Sequence, residues 1–372
     1  MPIVSGSDIG TKGETALFMR SHQRPYVFDP RCPPDSRVSE MFRRLKRKKA
    51  VPDLCSADFY PWPPSRFALP ESLYILGRRI RRRFHGSLLR TPILLVRVFD
   101  YDMYVPLLDK GIGRGLAGYG FRELDQRYVL QLVVKPGCTI LDLGSNIGYY
   151  VAMFGSLMAK QGRIYAVEPD PRSAAVLRRN VDLNHLGNIV SVDSVAISDY
   201  TGIGVLYQAA HPNLSGMALS TLDRHYGGTI SVAVHDLGDY LSHLREKVDV
   251  LRMDIEGHEA SVLRSLCRSL RHGKLLVDPP STIVFEPHSW EYDTSEMKEI
   301  VGELFQYGYK AAFLCTSHEE FSPLLPLGYE PQRVIRSVGY LHGIYQGVRD
   351  SDAIKLIACA PGLTTVCLQR QA

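Results

Sequence analysis

The sequence predicts an α/β fold: a mostly parallel sheet with helices on both faces. Three observations predict it. From about residue 125, short apolar runs of strand length alternate with helical stretches, the pattern of successive βαβ units. One run, Thr139–Leu143, opens directly into a glycine turn, DLGSNIG. Two other runs end in carboxylates, at VEPD (167–170) and MDIE (253–256), as strands do whose carboxyl ends border a ligand crevice.

Taken in order, residues 1–65 read as irregular, because DPRCPPDS and YPWPPS hold too many prolines for regular elements. Two basic runs follow, RRLKRKK (43–49) and RRIRRRFHGSLLR (78–90). Residues 1–110 are therefore expected to be a basic, partly irregular extension, and 111–372 the folded domain. Within the domain, helix is predicted over Leu124–Val134 and broken by Lys135-Pro136-Gly137. Strand follows over Thr139–Leu143, helix over Tyr149–Lys160, and strand over Arg163–Val167. A helix begins at Pro171 and runs to Leu186, since proline suits the first helical position. A third strand spans Ile189–Ile197. Strand Val248–Met253, helix His258–Leu270, strand Thr282–Phe285 and helix Ser295–Tyr307 complete the alternation. Residues 340–370 are read as a final hairpin at the sheet edge.

The charge is uneven. Residues 1–100 hold 19 Lys/Arg against 9 Asp/Glu, and the remainder 25 against 30. The basic front end suits an anionic membrane surface, a nucleic acid or an acidic partner, and RRLKRKK also fits a nuclear import signal. No apolar leader opens the chain and no apolar run is long enough to span a bilayer. The seven cysteines form no CxxC pair, which suits free thiols in a reducing compartment. These features point to a cytoplasmic location, with nuclear or membrane-peripheral placement as alternatives.

Asp142 and Gly144-Ser145-Asn146-Ile147-Gly148 form D-x-G-x-x-x-G. This is neither the G-x-G-x-x-G of a dinucleotide turn nor the lysine-bearing cradle of a phosphate loop. An acid in the turn would repel a pyrophosphate. Glu168 ends the next strand, 26 residues after Asp142, followed by Pro169 and Asp170. An acid there can bridge two ribose hydroxyls. An acid-edged turn beside a ribose-binding acid suits a phosphate-free, positively charged nucleoside, S-adenosylmethionine. Candidate cofactor contacts are Asp142, Gly144, Ser145, Asn146, Gly148, Glu168 and Asp170. The Val195–Ala196–Ile197 segment, Ala196 above all, is expected near the adenine.

The stretch DVLRMDIEGHE (249–259) delivers Asp254, Glu256 and His258 at the carboxyl end of a buried strand. These are the candidate catalytic groups. His258 is the candidate base, because an imidazole titrates near neutrality. Glu286 and His288, ending the next strand, are alternative acceptor contacts. Asp254 with Glu256 offers only two hard ligands, too few for a metal site, so none is expected.

Together the segments GYGFRELDQRYVLQLVVKPGCTILDLGSNIGYY, GRIYAVEPDPRSAAVLRRNVDLNHLGNI, VAISDYTG, VLRMDIEGHEASVLRSL and STIVFEPH resemble the FkbM family of S-adenosylmethionine-dependent methyltransferases, from about Gly118 to His288. The resemblance implies a seven-stranded Rossmann-like methyltransferase sheet and O-methylation of a small-molecule or saccharide hydroxyl. Rival readings are methylation of an RNA or protein through the basic front end, and a non-catalytic protein that binds the cofactor. One departure is His235, where the family often carries threonine.

Overall fold

The computed structural model describes residues 71–85, 92–107, 111–209, 215–217, 226–244, 246–316, 322–337 and 340–371. The proline-rich stretches and RRLKRKK lie outside these residues. Of the second basic run, 78–85 is described and falls largely in helix α1 (Glu71–Arg83). Its arginines turn back onto the chain. Arg78 donates to the carbonyls of Arg97 and Leu116, both at 2.9 Å, and Arg79 lies over the Tyr119 ring. Leu76, Ile80 and Phe84, spaced at i, i+4, i+8, are exposed.

Part of the stretch 1–110 is regular. Strands β1 (Ile93–Val98) and β2 (Tyr101–Pro106) form an antiparallel hairpin. Its alternation is of period two: Leu94, Val96, Val98, Met103 and Val105 are buried and join the core on one side of the main sheet. Helix α2 (Ile112–Tyr119) and helix α3 (Leu124–Val133) follow. The hairpin therefore packs in the same apolar cluster as the main sheet, although it lies within the stretch 1–110 that the sequence marks as an extension.

The main sheet contains β3 (Thr139–Leu143), β4 (Arg163–Val167), β5 (Val190–Asp193), β9 (Val250–Met253), β10 (Thr282–Phe285), β11 (Tyr309–Thr316), β12 (Arg333–Ser337), β13 (Tyr340–Tyr345) and β14 (Leu363–Arg370). Their order is β12-β13-β11-β14-β10-β9-β3-β4-β5. From β10 to β5 all neighbours are parallel, while β14 runs antiparallel to both β10 and β11. Nine strands are thus counted among the described residues, two more than expected; the β12–β13 hairpin supplies the surplus at one edge. Helices α4 (Tyr149–Leu157), α5 (Pro171–Leu183), α6 (Leu237–Leu244), α7 (Glu259–Arg271), α8 (Thr294–Gln306) and α9 (Asp350–Cys359) complete the layers. The strands are buried on both faces: Ile140 belongs to one apolar cluster, Leu141 and Leu143 to the other.

The larger departures from expectation are these. Helix α4 stops at Leu157, because Ala159 and Lys160 take left-handed φ of 51° and 58°. Helix α5 stops at Leu183. There His185 also turns left-handed (φ 54°), and Asn184 spends its side chain on the hairpin, donating to the Asp102 carbonyl at 2.8 Å. The predicted strand Ile189–Ile197 is two strands. β5 stays in the main sheet, and β6 (Ala196–Ser198) leaves it for a small sheet ordered β6-β8-β7, with β7 (Gly202–Ala209) and β8 (Tyr226–Asp236). Residues 340–370 are not an edge hairpin: α9 separates β13 from β14, and β14 lies inside the sheet with Leu363, Val366, Cys367 and Leu368 buried.

Candidate active site

The sheet order reverses between β3 and β9, since the chain runs outward from β3 through β4 to β5 and, on the other side, from β9 to β10. In open parallel sheets a crevice opens at such a point beyond the carboxyl ends. Here the turns after β3 and β9 touch. Asp254 N–H donates to the Leu143 carbonyl at 3.1 Å. Gly144 has φ 76°, and a Cβ on it would lie 2.0 Å from the Asp254 carbonyl oxygen. Gly148 (φ 87°) would drive a Cβ to 2.7 Å from Leu177 Cδ1 on α5. Both glycines thus permit a bend, and the close approach they serve is by the chain's own backbone and α5. Asn146 shares the left-handed region (φ 48°).

Glu168, at the tip of β4, is buried and lines the crevice with Leu143, Gly144, Asn146 and Pro169. Its carboxylate is held by two backbone donors: Asn146 N–H to Oε2 and Asp170 N–H to Oε1, both at 2.8 Å. Burial raises its pKa to about 7, against those hydrogen bonds. Asp170 sits below the crevice. It caps α5 by accepting from Arg172 N–H at 2.9 Å, and it pairs with the Arg172 guanidinium at 2.6 Å. Burial would raise its pKa, but these contacts outweigh that and lower it. The opposite wall is apolar: Val195, Ala196, Ile197, Leu206 and Met217, with the last two supplied by β7 and the segment beyond it.

Asp142 is fully buried and absent from the lining. Arg252, in mid-β9, bonds Asp142 Oδ1 at 3.2 Å and Asp254 Oδ2 at 2.9 Å, and its guanidinium stacks 3.8 Å from the Tyr150 ring centroid. Desolvation raises the Asp142 pKa, with Arg252 opposing, and Asp142 Oδ2 has no hydrogen-bond partner. Ser145 is also buried, its hydroxyl donating to the Asp142 carbonyl at 2.9 Å.

Beyond Asp254 the crevice becomes strongly acidic. Glu256 holds φ 52°, a strained conformation for a non-glycine residue, and burial raises its pKa to about 8. Glu286, at the tip of β10, is pushed well above the usual carboxyl range by burial and by Asp254. His288 is buried. Its Nδ1 lies 3.0 Å from Glu259 Oε1 and its Nε2 3.7 Å from Glu256 Oε2. Burial opposes protonation of its ring, but Glu259, Glu286 and Glu256 outweigh it and hold the pKa well above 6.5. Glu123 (φ 48°) stands nearby, bound by the Arg122 guanidinium at 2.8 Å and by the Tyr150 hydroxyl.

The three expected catalytic residues, Asp254, Glu256 and His258, all line the crevice. Asp254 and Glu256 face His288, whereas His258 turns to the other flank and bonds Ser198 through Nε2 at 2.8 Å. Burial lowers its pKa. His235 lies away from the crevice lining, its ring 6.1 Å from that of Tyr240. The sequence reading missed Arg122, Glu123, Tyr150 and Arg252. Arg252 had a signal: a lone charge inside the apolar run VLRM.

Residues 142–311 match the methyltransferase FkbM domain. The 2-O-methyltransferase NoeI of Sinorhizobium fredii is 30% identical over 148 residues, covering 37% of this chain and 60% of that protein. The protein-L-isoaspartate O-methyltransferase of Aeropyrum pernix is 28% identical over 180 residues, 47% and 63% of the two chains. The chain thus spans about three fifths of the length of these relatives. Methyltransferase FkbM from Methylobacillus flagellatus superposes with a TM-score of 0.30 at 15% identity, covering 57% of this chain and 44% of that one. The family match covers residues 142–311, a little under half of the chain.

Proposed function

We propose that the crevice binds S-adenosylmethionine and that the protein methylates a hydroxyl of a small molecule or saccharide. The observation that carries this reading is Glu168: a buried carboxylate fixed by two backbone N–H groups at the strand tip beside the glycine turn. Such a group is preorganised to accept from two ribose hydroxyls. S-adenosylmethionine supplies a methyl group on a positively charged sulfur.

The chain's own residues divide the remaining tasks. Val195, Ala196, Ile197, Leu206 and Met217 offer an apolar slot for a flat base. Gly144, Ser145, Asn146 and Gly148 shape the floor of the turn. Asp142 and Asp170 act from beneath: Asp142 through Arg252, Asp170 by capping α5 and bracing Glu168 with its N–H. The acidic end, with Asp254 and Glu256, faces the acceptor and favours cationic or hydroxyl-bearing groups. His258 stands on the slot side, where it positions Ser198 rather than removing a proton. The names of the two relatives, both O-methyltransferases, favour oxygen as the acceptor atom.

The test uses S-adenosylmethionine carrying a tritiated methyl group and a panel of sugar and small-molecule alcohols. Transfer to a hydroxyl is expected, and Asp254→Asn is expected to lower turnover at saturating cofactor by ~10²–10⁴-fold. Unchanged turnover in that variant removes the carboxylate from the chemistry; no transfer to any alcohol by cofactor-bound protein overturns the reading.

A further inference from the structure

The strand tips bring together a group that no sequence spacing revealed. In the parallel β9–β10 pair, Met253 lies opposite Phe285. The next residues, Asp254 and Glu286, therefore leave the sheet side by side. Two residues further along each chain come Glu256 and His288. One ligand atom from each of Asp254, Glu256 and His288 lies within 4.8 Å of the others. Two features go beyond a cluster of acids. His288 is only 5% exposed, and its Nε2 makes no hydrogen bond to a described residue, aiming instead at Glu256 Oε2 from 3.7 Å. Its other nitrogen is bound by Glu259, a fully buried carboxylate whose Oε1 also accepts from Ile255 N–H at 3.1 Å. A carboxylate fixing Nδ1–H and so presenting the Nε2 lone pair is the arrangement that orients metal-bound histidines.

We infer that Asp254, Glu256 and His288 form a divalent-cation site that receives the hydroxyl oxygen of the acceptor. This inference rests on the proposed methyl-transfer reading and adds to it the means of holding the acceptor. Arg252 occupies Asp254 Oδ2 and leaves the second oxygen of that carboxylate for the cation. Two oxygens and one imidazole nitrogen suit manganese, iron, cobalt or zinc better than calcium. Three protein ligands leave positions open for the acceptor, and a bound cation makes a hydroxyl easier to deprotonate. Metal entry displaces the proton that the surrounding carboxylates favour on the imidazole. Glu259 is a positioning residue, since it acts through His288.

The experiment titrates Mn²⁺ into the full-length chain after EDTA treatment. Binding is followed by calorimetry and by loss of the free-ion electron paramagnetic resonance signal, and S-adenosylhomocysteine binding is measured on the same samples. The expected result is one Mn²⁺ per chain in the micromolar range. Glu256→Gln and His288→Gln should each weaken it by at least ~10-fold, and Glu259→Gln by ~10–100-fold, while His288→Gln and Glu259→Gln keep their affinity for S-adenosylhomocysteine. Millimolar or absent Mn²⁺ binding overturns the inference, as does undiminished binding in either ligand variant. Protein that binds S-adenosylhomocysteine without Mn²⁺ sinks the metal site alone; protein that binds neither sinks the methyl-transfer reading as well.

Discussion

At Glu168, burial and two backbone N–H donors pull in opposite directions, and burial wins, leaving a carboxyl that titrates near pH 7. A ribose diol donates its hydrogens and so prefers the ionised form. Cofactor affinity is therefore expected to rise as pH increases from ~6 to ~8, by roughly tenfold for this single ionisation, in calorimetry with S-adenosylhomocysteine. Glu168→Gln should flatten that dependence and Glu168→Ala should remove most of the affinity. For stability the sign runs the other way. The folded pKa lies above the unfolded one, so this group's favourable contribution is full below pH ~4.5 and is lost as pH rises towards 7. Arg252 presents a different balance. It is the largest fully buried side chain, and Asp142 and Asp254 both depend on it. Arg252→Met should destabilise the fold by ~3–5 kcal/mol, because it leaves buried carboxylates uncompensated; chemical denaturation reads this directly.

At the scale of elements, the hairpin β1–β2 and the cofactor turn share one buried side chain. Asn180 on α5 accepts from Tyr104 N–H at 2.7 Å. It donates to the carbonyls of Tyr104, at 3.1 Å, and of Ile147, at 2.7 Å. Asn180→Leu leaves these backbone groups without partners and should cost ~1–3 kcal/mol. It should also weaken cofactor binding, because Ile147 lies inside the turn. A normal melting temperature together with normal affinity would contradict this coupling. The central strands β3, β4 and β10 could be read from sequence to the residue, because a buried parallel strand is an uninterrupted apolar run between turn signals. The hairpin could not, since ILLVRV and YDMYVP declare a strand only once a partner face buries their alternate residues. The split of β5 from β6 was equally hidden, because it depends on pairing with Val234–Asp236, some forty residues away.

Across the whole molecule, the candidate functional groups gather where the strand order reverses, and the crevice there has two different ends. One is an apolar slot beside Glu168; the other gathers Asp254, Glu256 and Glu286 near His288. Those two ends suit a flat nucleoside and a hydroxylated acceptor. On the slot side, the glycine turn, Glu168 and the segment 195–197 could be named from sequence, whereas Leu206 and Met217 reach the lining only through the fold. The acidic end was legible only in part: Asp254, Glu256, Glu286 and His288 could be named from strand ends, but their meeting with residues near 122 depends on the fold. Among the described residues no helix is long and apolar enough to cross a membrane. In α1, Arg78 donates to the carbonyls of Arg97 and Leu116 and Arg79 to the Tyr119 hydroxyl, whereas Arg81 and Arg83 are exposed. The most direct measurement is equilibrium binding of S-adenosylhomocysteine to the full chain at pH 8, alongside Glu168→Ala. The account predicts a single site of micromolar affinity that the substitution weakens by at least ~10-fold. Folded protein that gives no heat and no thermal shift with millimolar ligand, or a substitution that leaves affinity unchanged, would contradict it.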